Sequence, residues 1–329
     1  MQYRYMGKTG LQLSLVSFGS WVTFHKQFED NTADKLMGMA YDAGINFFDN
    51  AEAYAGGESE LMMGRVLKNK QWERSSFVIS SKAYFGLKGK DNKPNQHGLS
   101  RKHLFEACHD ALKRMGLDYL DLYFCHRPDP NVPIEEVVWT MHNLIEQGKI
   151  LYWGTSQWSG AEIMEAHMVA RQNNLVGPVM EQPQYNMFER FKMEQDYLPV
   201  FRSVGMGTTI WSPLASGFLT GKYLQEIPEG SRLSMDTFKW LRDRWLQEGK
   251  IAKLKQLVDL SNELGVSMPT LAIAWTLANP NVTTAILGAS QESQLTENLK
   301  ALDVVKMLTP ELMERIDGIL ENKPVLDLA

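Results

Sequence analysis

Short apolar runs, each followed by a polar turn and then an amphipathic stretch of helical period, recur along the 329 residues of this chain. Runs at residues 15–18, 45–49, 77–82, 120–126, 151–156, 179–182, 208–211 and 284–287 are rich in β-branched and aromatic residues, which suit a pleated surface, and they predict strands. Between them the apolar period lengthens to that of a helix. SELMMGRVLKN follows the second run. Ser100 predicts the cap of a helix reaching Met115, in which Leu104, Cys108, Ala111, Leu112 and Met115 share one face and Gly116 supplies the stop. IEEVVWTMHNLIEQ is closed by Gly148, and Ser159 with Glu162 reads as a capping box opening a helix through Asn173.

Eight strands alternating with helices predict an α/β fold, a closed parallel (β/α)8 TIM barrel, as one domain over residues 1–329. An open doubly wound sheet is the competing layout. It would normally carry a Gly-rich dinucleotide fingerprint after its first strand, and neither that motif nor a P-loop occurs. No Pro/Gly/Ser-rich linker divides the chain.

Several strands end on residues that do not belong in a core. FVISSK ends on Lys82, INFFDNAEAY delivers Asp49 and then Tyr54, and LDLYFCHRPD delivers His126. A charge closing a buried strand must reach solvent or meet a counter-charge. In such barrels the C-terminal strand ends share one mouth, where active sites lie. Asp49, Lys82, His126, Ser156, Gln182 and Trp211 all hold such ends. A phenol is a poor acid near neutrality, with a pKa of about 10. An ammonium about 4 Å away would favour the phenolate by at most roughly 4 kcal/mol at an effective dielectric near 20. Lys82 is therefore expected to lower the pKa of Tyr54, Asp49 to hold Lys82 charged, and His126 to place a carbonyl oxygen beside the phenol. The chemistry suggested is proton donation to a developing alkoxide, the acid half of carbonyl reduction, which needs a hydride source. Each residue alone is more often structural: a salt bridge, a loop tyrosine, a satisfied histidine. The combination on strand ends is what points to a site. Trp211 offers a flat face for stacking, although a barrel-core role is its ordinary alternative. The small residues from Ser212 to Gly221 suit close approach to a phosphate. Lys222 and Arg232 follow as cations that would otherwise be surface charge. Gly288-Ala289-Ser290 is expected to open a helix whose free N–H groups favour an anion.

Composition narrows the class. A net charge of −5 and a pI near 5.9 argue against a nucleic-acid partner. No run approaches the roughly 20 apolar residues of a membrane span, and MQYRYMGKTG lacks the apolar core of a signal peptide. Cys108 and Cys125 have no metal-ligand spacing, so free thiols in a reducing, cytoplasmic setting and no metal are expected.

The segments SFGSWVTF, NFFDNAEAYAGGESE, GLSRKHL, HRPDPNVPIEE, YWGTSQWS, WSPLASGFLTGKY and ILGASQESQLTEN carry a resemblance over nearly the whole chain. It resembles the aldo-keto reductase superfamily, in particular the potassium-channel β-subunit branch with its plant and bacterial relatives. The resemblance implies an NADPH-binding barrel with Asp49, Tyr54, Lys82 and His126 as catalytic residues. Tyr54 would be the general acid, Lys82 the modulator of its pKa, Asp49 the partner of Lys82, and His126 the group that orients the substrate. It also implies cofactor contacts from Ser20, Trp21, Gln27 and Asp49 near the nicotinamide, and from Ser156, Gln157 and Gln182 at its carboxamide. Trp211 would stack on the ring, and Ser212, Pro213, Leu214, Ala215 and Ser216 would surround the pyrophosphate. Lys222, Arg232, Ser290 and Gln294, with Gly288, Glu297 and Asn298, would hold the adenosine-phosphate end. Two cations there favour NADPH over NADH.

Departures from the animal channel subunits are part of the same resemblance. His126 stands where those proteins typically carry Asn, Gln157 where they carry Arg, and Gly230 where they use a tyrosine. The chain opens at the barrel's leading segment, so a channel-blocking extension is not expected. These differences imply a cytoplasmic NADPH-dependent reductase of aldehydes and ketones, with a small-molecule carbonyl substrate and assembly into a homo-oligomer, a tetramer or larger. The alternative is an NADPH-binding, redox-sensing regulatory subunit with slow turnover. Trp21, Phe24, Tyr84, Phe85 and Trp158 are the candidates to line the substrate pocket.

Overall fold

The computed structural model describes residues 1–21 and 30–325. Its strands are β1 (Tyr3–Tyr5), β2 (Gln12–Ser14), β3 (Val16–Gly19), β4 (Phe47–Asp49), β5 (Val78–Ala83), β6 (Leu120–Cys125), β7 (Ile150–Thr155), β8 (Met180–Glu181), β9 (Gly207–Ile210) and β10 (Thr284–Leu287). Strands β3 to β10 are parallel and pair in chain order, with β10 returning to β3, so the expected (β/α)8 barrel is the fold. Parallel strands covered on both faces need nearly unbroken apolar runs. Both β5 and β6 are buried along their whole length. The strand ends sit one or two residues from those read in the sequence: β5 continues past Lys82 to Ala83, and His126, Ser156, Gln182 and Trp211 fall just beyond their strands.

The local signals for helices act as read. The Ser100 hydroxyl accepts from the His103 N–H, and the helix Arg101–Met115 ends on Gly116 in the left-handed region. The Ser159–Glu162 capping box opens Gly160–Gln172. The last expectation fails in part. After β10 the helix begins at Glu292, and the Ser290 N–H is already taken by the Gln294 side chain at 2.7 Å. That donor is therefore not free in this conformation.

Two apolar clusters hold the barrel. The larger lies between the strands and the surrounding helices. The smaller joins Phe47, Val78, Leu122, Phe124, Met180 and Ile286 with Met6 and Leu13. Met6 and Leu13 come from the β1–β2 hairpin segment, which plugs the end opposite the active mouth and which strands of three residues left without a readable period. Strand alternation then places the polar residues. Val78, Ser80 and Lys82 share one face of β5, as do Phe47 and Asp49 on β4. The face that fills the barrel with hydrocarbon at one end presents ionisable groups at the other.

Candidate active site

Lys82 is fully buried, and its ammonium is surrounded. It donates to Asp49 Oδ2 at 2.6 Å, to the Asn50 carbonyl at 2.7 Å and to the Tyr54 hydroxyl at 3.3 Å. The other Asp49 oxygen accepts from Ser80 Oγ at 2.8 Å and from Gln182 Nε2 at 3.0 Å, and that same amide nitrogen also reaches Thr209 Oγ1 at 3.2 Å. Charged groups removed from water are tolerated only when paired and hydrogen-bonded in this way. Burial lowers the Lys82 pKa from its ordinary value, while Asp49 opposes the shift. Of the two outcomes open to a charge closing a buried strand, Lys82 takes the second, and its full burial makes the counter-charge of Asp49 the more necessary.

Tyr54 stands in the tight turn Tyr54–Gly57 after β4, where Ala55 and Gly56 take positive φ of 51° and 65°. Burial, with the Asp49 charge, pushes its phenol well above 10, and the Arg127 guanidinium works in the opposite direction. This reverses the expected lowering by Lys82. Desolvation of a phenolate at this part-buried position outweighs a cation whose charge is already shared with Asp49. His126 lies against both aromatic neighbours, 5.8 Å from the Tyr54 ring centre and 5.0 Å from that of Phe85. Burial, then Lys82 and Arg127, hold its pKa well below the usual value, so the imidazole is neutral at pH 7. Its Nδ1 has no hydrogen-bond partner among the described residues.

These groups line one end of a cavity of about 730 Å³. Asp49, Tyr54, His126, Ser156 and Gln182 are at its floor, with Trp21 and Phe85 on the wall. Lys82 lies behind Tyr54 and Asp49. Trp211, Ser212, Pro213, Leu214 and Ser216 form a second side, and Lys222, Arg232, Gly288, Ser290, Gln294, Glu297 and Asn298 the far end. Ser212, Ala215, Ser216 and Gly217 all have positive φ. The loop is held by Asn186 Nδ2 donating to the Ser212 carbonyl at 3.0 Å. Glu297 accepts from Ser267 Oγ at 2.7 Å and Lys300 at 2.6 Å, which lowers its pKa.

Some expected residues stand elsewhere. Ser20 is buried behind the mouth, its hydroxyl donating to the Asp49 carbonyl at 3.1 Å, and Ala215 is buried under its loop. Gln157, in a left-handed conformation, lies behind Trp211; with its amide oxygen facing the two donors, it accepts from Gln184 N at 2.6 Å and Trp211 Nε1 at 3.1 Å. Arg232 and Trp21, assigned by resemblance to opposite ends of a cofactor, are stacked, with the guanidinium carbon 5.0 Å from the ring centre. The excursion after Gly221 thus folds back over the mouth. Trp158 is core, its carbonyl accepting from Tyr197 OH at 2.7 Å, because the residue after the turn at Gln157 points inward. Tyr84 packs edge-on against Phe85 at 5.0 Å and does not itself line the cavity. Gln27 and Phe24 lie outside the described residues. Arg127, Gln184 and Arg244 also line the cavity. Arg127 carried a signal in the sequence, a cation directly after a strand-end histidine.

A parallel eight-stranded barrel whose mouth gathers a buried Lys–Asp pair, a phenol and a neutral imidazole beside a long cavity defines a class of barrel oxidoreductase sites. The model of the Aldo/keto reductase family matches residues 15–321, and the chain belongs to that family. Two similar proteins are each named "Probable voltage-gated potassium channel subunit beta". One is from Oryza sativa subsp. japonica and one from Arabidopsis thaliana, each 47% identical over 325 residues and covering 98% of both chains.

Glu181, at the end of β8, braces this mouth from behind. It accepts from Thr155 Oγ1, from Tyr197 OH at 3.2 Å and from the Gln157 backbone. Burial raises its pKa from 4.5 to about 7. The folded chain therefore holds a proton that the unfolded chain releases earlier, and this contribution, of order 3 kcal/mol, is full below the unfolded value and lost as pH rises through about 7. Glu181→Gln should flatten that loss. Melting curves between about pH 5 and pH 8 should show the wild type falling a few degrees further than the variant; equal slopes would mean that Glu181 does not titrate there.

Proposed function

We propose that the protein is an NADPH-dependent reductase of aldehydes and ketones. The observation that carries this reading is the Tyr54 hydroxyl, kept protonated by burial, 3.3 Å from the Lys82 ammonium at the floor of the cavity. The far end supports the cofactor. A cavity of about 730 Å³ falls within the range of roughly 300–1,000 Å³ usual for small-molecule and cofactor sites. Its small-residue loop turns through left-handed backbone that lets the main chain come close to a ligand, and the cations Lys222 and Arg232 stand on the same wall. Each cation lies over an aromatic ring, Lys222 over Tyr223 and Arg232 over Trp21, both 5.0 Å from the ring centre. In this reading Ser156 and Gln182 orient the carboxamide, Trp211 stacks on the ring, and Lys222 with Arg232 meets a 2′-phosphate.

When bound, the nicotinamide would supply the hydride to the carbonyl carbon. The chain's own residues supply the rest. Neutral His126 offers one N–H to the carbonyl oxygen and holds it beside Tyr54. Tyr54 donates its proton to that oxygen as negative charge develops, giving the alcohol. The phenolate left behind is stabilised by Lys82, which the Asp49 carboxylate keeps in place and charged. Tyr54, Lys82, Asp49 and His126 thus act as acid, electrostatic support, anchor and orienting group. A second reading is supported by the printed names of the two plant relatives: a regulatory subunit that binds NADPH and turns over slowly.

Oxidation of NADPH by purified protein with a panel of aldehydes separates the two. Steady turnover is expected, and binding without turnover across the panel would favour the second reading. Tyr54→Phe should lose at least about 100-fold in kcat, as expected for removal of a general acid, with NADPH affinity nearly unchanged. A large loss of NADPH binding in that variant would place the acid elsewhere. Replacing Lys222 and Arg232 together by Ala should shrink the preference for NADPH over NADH by about 10-fold or more, whereas an unchanged ratio would sink the 2′-phosphate assignment.

A further inference from the structure

Arg127 lines the cavity directly beside the acid end, and its charge is felt at both Tyr54 and His126. It follows β6 by two residues, and its aromatic surroundings leave it half-buried. One nitrogen is engaged: Nη1 donates to the His126 carbonyl at 2.5 Å and reaches Ser156 Oγ at 3.4 Å. The guanidinium carbon lies 5.5 Å from the Phe85 ring centre. Among the described residues no carboxylate stands within ion-pair distance. The neighbouring acid, Asp129, is turned away, accepting from the Leu99 N–H at 2.9 Å and the Asn131 N–H at 3.0 Å.

A guanidinium carries five N–H donors in a planar fork that matches an oxyanion, and drawing it out of water without one is unfavourable. The other cavity cations differ. Lys222 and Arg232 stand on the far wall, and Arg244 is held by Glu189 at 2.6 Å. Lys82 is committed to Asp49. With Lys82 committed to Asp49, a fork that has no carboxylate partner among the described residues and is walled by Phe85 and Tyr54 matches a planar monoanion on an otherwise apolar molecule better than a doubly charged phosphate.

We propose that Arg127 is a specificity-determining residue that binds a carboxylate on the carbonyl substrate, so that the preferred substrates are aldehyde or keto acids. This rests on the reductase reading and narrows it. His126 and Arg127, adjacent in the chain, then divide the substrate between them: the imidazole takes the carbonyl oxygen and the guanidinium the acid group.

The test compares kcat/KM for para-formylbenzoate against its methyl ester, and succinic semialdehyde against its methyl ester, in wild type and in Arg127→Met. The wild type should favour each acid by about 10- to 100-fold, and Arg127→Met should abolish that preference, chiefly through KM for the acids. An equal loss for acid and ester would mean that Arg127 acts through Tyr54 or His126, and no preference in the wild type would equally overturn the proposal. Calorimetric binding of benzoate and benzamide to the NADP+-loaded protein needs no turnover. Tighter binding of benzoate that disappears in Arg127→Met supports the carboxylate site even if every aldehyde proves inert, in which case only the reductase reading falls. Equal affinity for the two ligands overturns the carboxylate site by itself.

Discussion

The ion pair between Lys82 and Asp49 is the constraint on which the mouth of this barrel depends. Moving a carboxylate or an ammonium into the protein interior costs several kcal/mol even after relaxation. The fold offsets this by closing every direction around the pair. The 2.6 Å contact joins β5 to β4, and Ser80, Gln182 and the Asn50 carbonyl fill the remaining donor and acceptor positions. Three strands and one turn are thereby fixed relative to one another. The arrangement has a chemical consequence, since a cation held in a dry place beside a phenol is of use only when that phenol loses its proton.

Electrostatic direction along the cavity follows from the same arrangement. At the floor, charge is balanced within the protein, and the phenol and imidazole are both neutral. Toward the far wall stand the cations Lys222 and Arg232. A long anionic cofactor would complete the far wall and leave the floor for a carbonyl. Arg127 interrupts this division, being a guanidinium at the neutral end that has no carboxylate partner among the described residues. It is the residue on which substrate selection is most naturally built.

Much of this was legible in the sequence because the barrel repeats one pattern. Eight apolar runs, Ser100 and Ser159 as caps, and Gly116 and Gly148 as stops all carry local signals that tertiary packing does not override. The ionisable strand ends were legible for the same reason: Lys82 is anomalous in the run it ends. What local signals could not give was the surroundings. Trp158 looked like pocket wall but is core, since the left-handed turn at Gln157 reverses the direction of the chain there. The β1–β2 hairpin is too short to show a period. The rise in the Tyr54 pKa depends on how far the assembled mouth withdraws the phenol from water and on where Asp49 then stands, neither of which is a local signal. Arg127 was visible as a cation, but its lack of a partner appears only once Asp129 is seen to face away.

The central claim is that burial beside the Lys82–Asp49 pair keeps Tyr54 a phenol, available as an acid. Carbon-13 NMR of protein labelled at tyrosine Cζ, with the Tyr54 signal assigned by its absence from Tyr54→Phe, measures this directly in the cofactor-free protein. The account predicts that the signal stays at the protonated position through pH 10, beyond the midpoint of about 10 for a free tyrosine. A signal that moves to the phenolate position near neutral pH would contradict it, and would return Lys82 to the role of lowering the tyrosine's pKa.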